Sequence, residues 1–336
     1  MSQYTGLVSS WELPNFPGEL YTADVVPGQE EVNPSFLTLV GGINGASARI
    51  VDDMTYSMTV EFDYPAAEQP DISENTSATV LPGAINPIVT NTRNTCQIYQ
   101  EAVAETYVSK ATRGRLVTDQ LYPSGAPTEG WISEFSPNRD DAAITSQVNY
   151  ALGRIARNVN HTFLNGTFHE SNGKSDASRT RGILEGITTN VVDASGAALS
   201  DALTGTLFES MATKSSGKAF QQLPILLMSA KQKRKFSALF AFPPESRNVA
   251  GYNITMFETD FGPVGIMYEP TIADNTILFA SLSLVKPVYN EVPGKGILFY
   301  EPKAQVGASE GGMLYGHIGL DYGAEWMHGK ITNLAV

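Results

Sequence analysis

The stretch with the most chemistry per residue is YGHIGLDYGAEWMHGKITNL, residues 315–334. It holds two of the four histidines, together with two carboxylates. His317, Asp321, Glu325 and His328 sit at offsets of 0, 4, 8 and 11, which would line one face of a helix. Imidazoles and carboxylates gathered on one face are what a divalent metal or an acid–base pair would need. The helix fails, because Gly316, Gly319 and Gly323 interrupt it, each costing about 1 kcal/mol relative to alanine. Without the helix the spacing has no geometric force. The glycines read as turns and close backbone approaches, with Tyr315, Tyr322 and Trp326 packing around them.

The other reactive residues are sparser. His161 and His169, the latter beside Glu170, flank the end of a long helical pattern, where a histidine interacts with the last carbonyls. Cys96 is the single cysteine, so an internal disulfide and a paired-cysteine metal site are excluded, and it reads as a small buried apolar group. Lys231, Lys233, Arg234 and Lys235 form the one basic cluster. On a helix they spread around more than half the circumference, as on a solvated or intersubunit face. Asp52 and Asp53 read as solvated. Phosphate-loop, dinucleotide, zinc-protease, nucleophile-elbow and calcium-loop patterns do not occur in the sequence. We therefore expect no catalytic, cofactor-binding or metal-ligating residue, and no cofactor.

Charge is distributed unevenly. Of the net −13 carried by 336 residues, residues 1–109 account for −12, with fourteen acidic residues against Arg49 and Arg93. The first lysine is Lys110. Such a chain is a poor general binder of nucleic acid, which needs clustered cations. No apolar run approaches the 18 or so residues of a membrane span, and Met1–Gly6 lacks the features of a secretion signal.

The elements that would position these residues follow from pattern. Residues 1–45 carry Pro14, Pro17, Pro27 and Pro34 together with Trp11, Phe16, Leu20, Tyr21 and Phe36, and read as an extended arm lying on another surface. Tyr56, Met58, Val60, Phe62 and Tyr64 alternate with polar residues as one limb of a projecting hairpin. The second limb spans 88–108, beyond a polar tip with prolines from 65 to 87. A helix is expected over 137–165, about 28 residues and roughly 42 Å, with Ile144, Val148, Leu152, Ile155, Val159 and Phe163 in phase and Gly166 stopping it. A second helix is expected from Ser200 to Ser215. A strand from Leu223 to Met228 runs into a third helix opened by Ser229-Ala-Lys-Gln232, a capping-box pattern. Beyond 242 the pattern is β-rich: Asn253–Asp260, Val264–Glu269, Ile277–Val285 and Ile297–Glu301. The class is mixed α+β.

Five stretches, ordered along nearly the whole chain, carry a family resemblance: NFPGELYTADVVPGQEEVNPSFLTLVGGINGASARIV (15–51), RNTCQIYQEAVAETYVSKAT (93–112), YALGRIARNVNHTFLNGT (150–167), SRTRGILEGITTN (178–190) and LDYGAEWMHGKITNL (320–334). The chain resembles the major capsid proteins of tailed bacteriophages, of Hong Kong 97-like fold, and is most similar to a branch found in phages of actinobacteria. The resemblance implies an N-terminal arm (1–45), an extended loop (46–110), a peripheral domain (111–180) with a spine helix (137–165), an axial domain (181–275), and a return to the peripheral domain with the C-terminal segment (276–336). It implies a structural protein of the virion capsid, assembled in the host cytoplasm, that self-associates into hexamers and pentamers of an icosahedral shell around double-stranded DNA. Portal, scaffolding and decoration proteins would be its partners, with DNA contacted non-specifically if at all and no membrane. Some proteins of this fold join a lysine of the extended loop to an asparagine of a neighbour. Residues 1–109 hold no lysine, so a non-covalent shell is expected. No long charged helical leader precedes the arm, so any scaffold would be a separate protein or one already removed. An encapsulin-type shell, a tail-tube protein and an enzyme using the tail residues are the competing readings.

Overall fold

The computed structural model describes residues 34–42, 48–58, 61–63, 69, 71–74, 77, 86, 88–90, 92–107, 142–240, 245–249, 252–304 and 307–336. Most of the expected arm, the polar tip and the start of the long helix lie outside these residues. The arm's described end is a short helix, α1 (Ser35–Leu39), entered from Pro34. It is not spread on a distant surface: Phe36, Leu37 and Val40 are buried in the main core.

Six strands follow: β1 (Arg49–Val51), β2 (Thr55–Ser57), β3 (Glu61–Asp63), β4 (Ile88–Thr90), β5 (Arg93–Thr95) and β6 (Gln97–Thr106). β2 pairs antiparallel with β5, from Thr55 opposite Thr95 to Ser57 opposite Arg93. β3 pairs with β4, from Glu61 opposite Thr90 to Asp63 opposite Ile88. The hairpin is therefore present, and Tyr56 and Met58 are buried around an exposed Ser57 as the alternation requires. Its second limb is shorter than expected. At buried Cys96 the amide donates to the Met54 carbonyl at 2.7 Å, and the chain then leaves the hairpin. β6 instead pairs along ten residues of a later strand, because its own alternation places Tyr99 and Val103 in the main core.

The long helix, α2, runs from Ala142 to Asn165. Ile155, Val159 and Phe163 are fully buried on its inner face, with Val148 and Leu152 partly so. Gly166 ends it because the next strand of chain comes close: a Cβ there would lie 2.4 Å from the Thr180 carbonyl oxygen. Then come α3 (Ile183–Gly186), β7 (Val191–Asp193) and α4 (Asp201–Ser215), whose N-cap Ser200 accepts from the Leu203 amide. β8 (Pro224–Met228) leads into α5 (Ala230–Leu239). The capping box expected there does not form. Ser229 makes no side-chain cap, and Gln232, which is buried, instead donates from Nε2 to the carbonyls of Asp274 (2.7 Å) and Ala335 (3.1 Å). A buried amide gains more from two carbonyls than from a single capping bond.

The remaining strands are β9 (Glu245–Val249), β10 (Tyr252–Thr259), β11 (Gly262–Tyr268), β12 (Ile277–Ser281), β13 (Lys286–Asn290), β14 (Leu298–Pro302), β15 (Ser309–Asp321) and β16 (Gly329–Thr332). The strand expected over 277–285 is cut at Ser281 by a 3-10 turn, Leu282–Leu284. One mixed sheet has the order β7-β16-β12-β8-β11-β10-β9. The other is built on β15, with β13 and β14 on one side, β6 on the opposite side and β1 beyond β13. Residues 276–336 thus divide between both sheets.

β8 and β12 weld the molecule together. Every residue of each is buried. Ile225, Leu227, Leu278 and Ala280 face one core with α1, α2 and the β15 sheet, while Leu226, Met228, Ile277 and Phe279 face a second core with α4 and α5. A strand covered on both sides needs a continuous apolar run, which PILLM and ILFA supply.

Candidate functional site

The four tail residues point to four different jobs. His317 lies within β15, its Nε2 2.8 Å from the Tyr315 hydroxyl, and burial draws its pKa below the ordinary value. Asp321, 1% exposed, ends that strand and pairs with Arg49 at 3.2 Å while accepting from the Gly323 amide. Glu325 accepts from the amides of Thr188 (2.8 Å) and Thr189 (3.0 Å) and from the Thr189 hydroxyl. Burial raises its pKa, and these hydrogen bonds outweigh that and hold it below the usual range. His328 is fully buried: its Nδ1 accepts from the Ser281 amide at 3.1 Å, and its Nε2 faces the Tyr322 carbonyl at 2.6 Å. Those partners fix a neutral imidazole, with its pKa driven down to about 4 by burial against the opposing pull of Tyr322 and Glu325. Among the described residues, no three of His, Cys, Asp and Glu come together in a metal-binding group. The tail is the end of β15, a turn with Gly323 at φ +70°, a 3-10 turn (Glu325–Met327) and β16.

The other residues singled out by type are equally dispersed. His161 is exposed. His169 does not meet the last carbonyls of α2. Its Nε2 lies 2.8 Å from Asp176, in a loop closed by mutual backbone bonds with Arg179. A carboxylate supplied by the loop is a stronger partner than a helix carbonyl. Asp52 and Asp53 are exposed, and Cys96 is free and fully buried. In the basic cluster, Lys231 pairs with Asp274 at 2.9 Å and Lys235 donates to the Ala335 carbonyl at 2.7 Å.

The polar group that pattern did not reveal joins three distant segments. Glu269 is fully buried and accepts from Ser35 Oγ of α1 at 2.5 Å, from Asn160 Nδ2 of α2 at 3.3 Å and from the Thr271 amide at 3.2 Å. Asn160 also accepts from the Leu37 amide at 2.9 Å. The available signal was slight: a proline after Glu269 and one asparagine in the apolar phase of α2. Arg49 is a second such stitch, donating to the Ser57 carbonyl as well as to Asp321.

These groups clamp chain segments together and leave no open catalytic constellation among the described residues. A long helix laid on a sheet, a hairpin and a second mixed sheet sharing its core make an α+β fold of Hong Kong 97-like type. Solved structures of that fold superpose over nearly the whole chain. The holo-SrpI encapsulin complex from Synechococcus elongatus is 11% identical, with a TM-score of 0.56, covering 94% of this chain and 92% of that one. The capsid of the native GTA particle is 12% identical, with a TM-score of 0.55, covering 94% and 95%. Mycobacterium phage Patience is 12% identical, with a TM-score of 0.52, covering 90% and 84%. At these identities the likeness is one of fold. No curated protein shows significant sequence similarity to the chain. The family described as SU10 major capsid protein matches residues 23–335, and the chain belongs to that family. It is a phage major capsid protein, a structural component of the virion capsid and not an enzyme. Among the described residues no helix is long and apolar enough to cross a membrane.

Proposed function

We propose that the chain assembles into hexamers and pentamers of an icosahedral shell that encloses double-stranded DNA. The family match over residues 23–335 carries this reading. In it, α2 with the β15 sheet serves as the peripheral domain, the hairpin as the extended loop, and the seven-stranded sheet with α4 and α5 as the axial domain around the symmetry axes. Burial of β8 and β12 on both faces supports rigid coupling of the two bodies, so that contacts at the axis and at the periphery are made by one unit. DNA would be contacted non-specifically if at all, since a net charge of −13 disfavours phosphate binding. Portal, scaffolding and decoration proteins would be further partners. The placement nearest a branch in phages of actinobacteria is part of the same reading.

Electron microscopy of the chain expressed alone, with light scattering for mass, tests it. Closed angular shells with five- and six-fold clusters are the expected outcome. Tubes or rings would overturn it, and shells of subunits filled with an enzyme cargo would favour the encapsulin reading instead.

A further inference from the structure

The loop between α2 and α3 plays no part in the reading above. It contains Asn172-Gly173, one of three Asn-Gly pairs in the chain. The others are Asn165-Gly166, at the end of α2, and Asn44-Gly45, which lies outside the described residues. An asparagine followed by glycine can react with its own backbone, because glycine has no Cβ to hinder its amide nitrogen from reaching the side-chain carbonyl. Whether the reaction proceeds depends on what holds the two groups, and the fold treats the two described pairs differently.

At Asn165 both reacting groups are tied. Its Nδ2 donates to the Thr271 carbonyl at 3.0 Å, and the Gly166 amide donates to the Thr162 carbonyl at 2.8 Å. Attack there requires the helix end to open first. At Asn172 neither group is tied. The residue is exposed, and among the described residues only its main-chain amide is bonded, to Asp176 Oδ2 at 2.9 Å. The Gly173 amide meets only the Ser171 hydroxyl oxygen, at a long 3.4 Å. The Gly173 carbonyl accepts from Ser171 Oγ at 2.9 Å and from the Asp176 amide at 3.0 Å, but that carbonyl takes no part in the attack. Gly173 is exposed, with nothing within 4 Å of the place a Cβ would take.

We propose that Asn172 is a self-modifying site, which converts slowly and without an enzyme to aspartate and isoaspartate. The Gly173 nitrogen gives its proton to solvent base and bonds to Cγ of Asn172. The Cγ–Nδ2 bond breaks and ammonia leaves. Water then opens the five-membered imide. Cleavage of the new N–Cγ bond leaves aspartate, and cleavage of the original peptide bond leaves isoaspartate, whose main chain is longer by one methylene. Either product adds a negative charge beside the Asp176 carboxylate, in a loop pinned where His169 and Arg179 exchange backbone bonds at 3.1 and 2.9 Å. Each copy of the chain therefore gains charge as it ages. The site goes beyond the shell reading and does not rest on it.

The test incubates the full-length, unassembled chain at pH 8 for weeks. Peptide mapping follows the amide-to-acid mass gain at each pair, and isoaspartate methyltransferase labelling counts the isomer. In the folded chain, modification at Asn172 should be at least about tenfold faster than at Asn165, whereas in urea the two rates should converge, because the helix end no longer protects Asn165. An unmodified Asn172, or equal rates at the two positions in the folded chain, overturns the proposal. Gly173→Ala should slow modification of Asn172 at least about fivefold, because the added Cβ hinders the attack. Its melting temperature should be unchanged, since the Cβ has room and the backbone there is not left-handed. A rate unaffected by Gly173→Ala would also overturn it, because the Gly173 amide would then not be the attacking group. None of these measurements requires a shell to form, so they succeed or fail separately from the assembly experiment.

Discussion

His328 shows what a buried histidine does when it is not catalytic. Its two ring nitrogens tie β12 at Ser281 to the carbonyl of Tyr322, so the imidazole joins strand and tail as a neutral wedge. Its folded pKa of about 4 lies below the ordinary 6.5, so between these values the unfolded chain takes up a proton that the folded chain refuses. Stability contributed by neutral His328 is therefore complete above pH 6.5 and is lost progressively as the pH falls to about 4, with a total near 3 kcal/mol. We expect His328→Leu to be less stable than wild type by about 2–4 kcal/mol at pH 7.5, since it strands a buried amide and a carbonyl. The deficit should shrink as the pH falls toward 4, and urea unfolding of both chains across that range measures it. A constant deficit would show that the ring does not titrate. Cys96 makes the opposite prediction about reactivity. Burial pushes its thiol up to about 12, so native protein should resist iodoacetamide at pH 8 and react fully once unfolded, as counted by mass.

At the scale of elements, the clamp of Ser35, Asn160 and Glu269 decides where α1 sits. Asn160→Ala removes the acceptor of the Leu37 amide and one donor to a buried carboxylate. A loss of about 1–3 kcal/mol is expected, and exchange of the Leu37 amide should accelerate more than the global unfolding rate allows. Equal acceleration throughout the chain would mean that the clamp holds nothing locally. This clamp also marks the limit of what the sequence discloses. α2 was legible because Ile155, Val159 and Phe163 repeat at helical period, and β8 because a short apolar run demands two covered faces. The capping box at Ser229 misled because the pattern records only local partners, whereas Gln232 found carbonyls about 40 and 100 residues away. The same reason hid Glu269, whose partners lie 234 and 109 residues distant. It also hid the departure of β6 from the hairpin, since β6 reads as an ordinary continuation of the limb. The tail was legible in the negative sense: its glycines forbade a helix, and a Cβ on Gly316 would indeed lie 2.8 Å from the Ile297 carbonyl oxygen.

For the whole molecule, a capsid subunit must hold several neighbours at once, and many modest contacts add through multivalency. Covalent joining is a separate route to the same end, and the chain's composition speaks against it here. A link of the lysine–asparagine kind requires an amine on the projecting loop, where it can reach a neighbour. Residues 1–109, which contain the whole hairpin, hold Arg49 and Arg93 and no lysine. Arginine is no substitute, because its guanidinium stays protonated and is not a nucleophile at neutral pH. Particles boiled in detergent should therefore run as a single band of monomer size, while unboiled particles stay at the top of the gel. The shell should also dissociate reversibly in denaturant, because nothing but buried area and polar contacts holds it. A ladder of covalent oligomers after boiling would mean that a lysine at or beyond Lys110 reaches a neighbour, and would place the inter-subunit joint outside the hairpin.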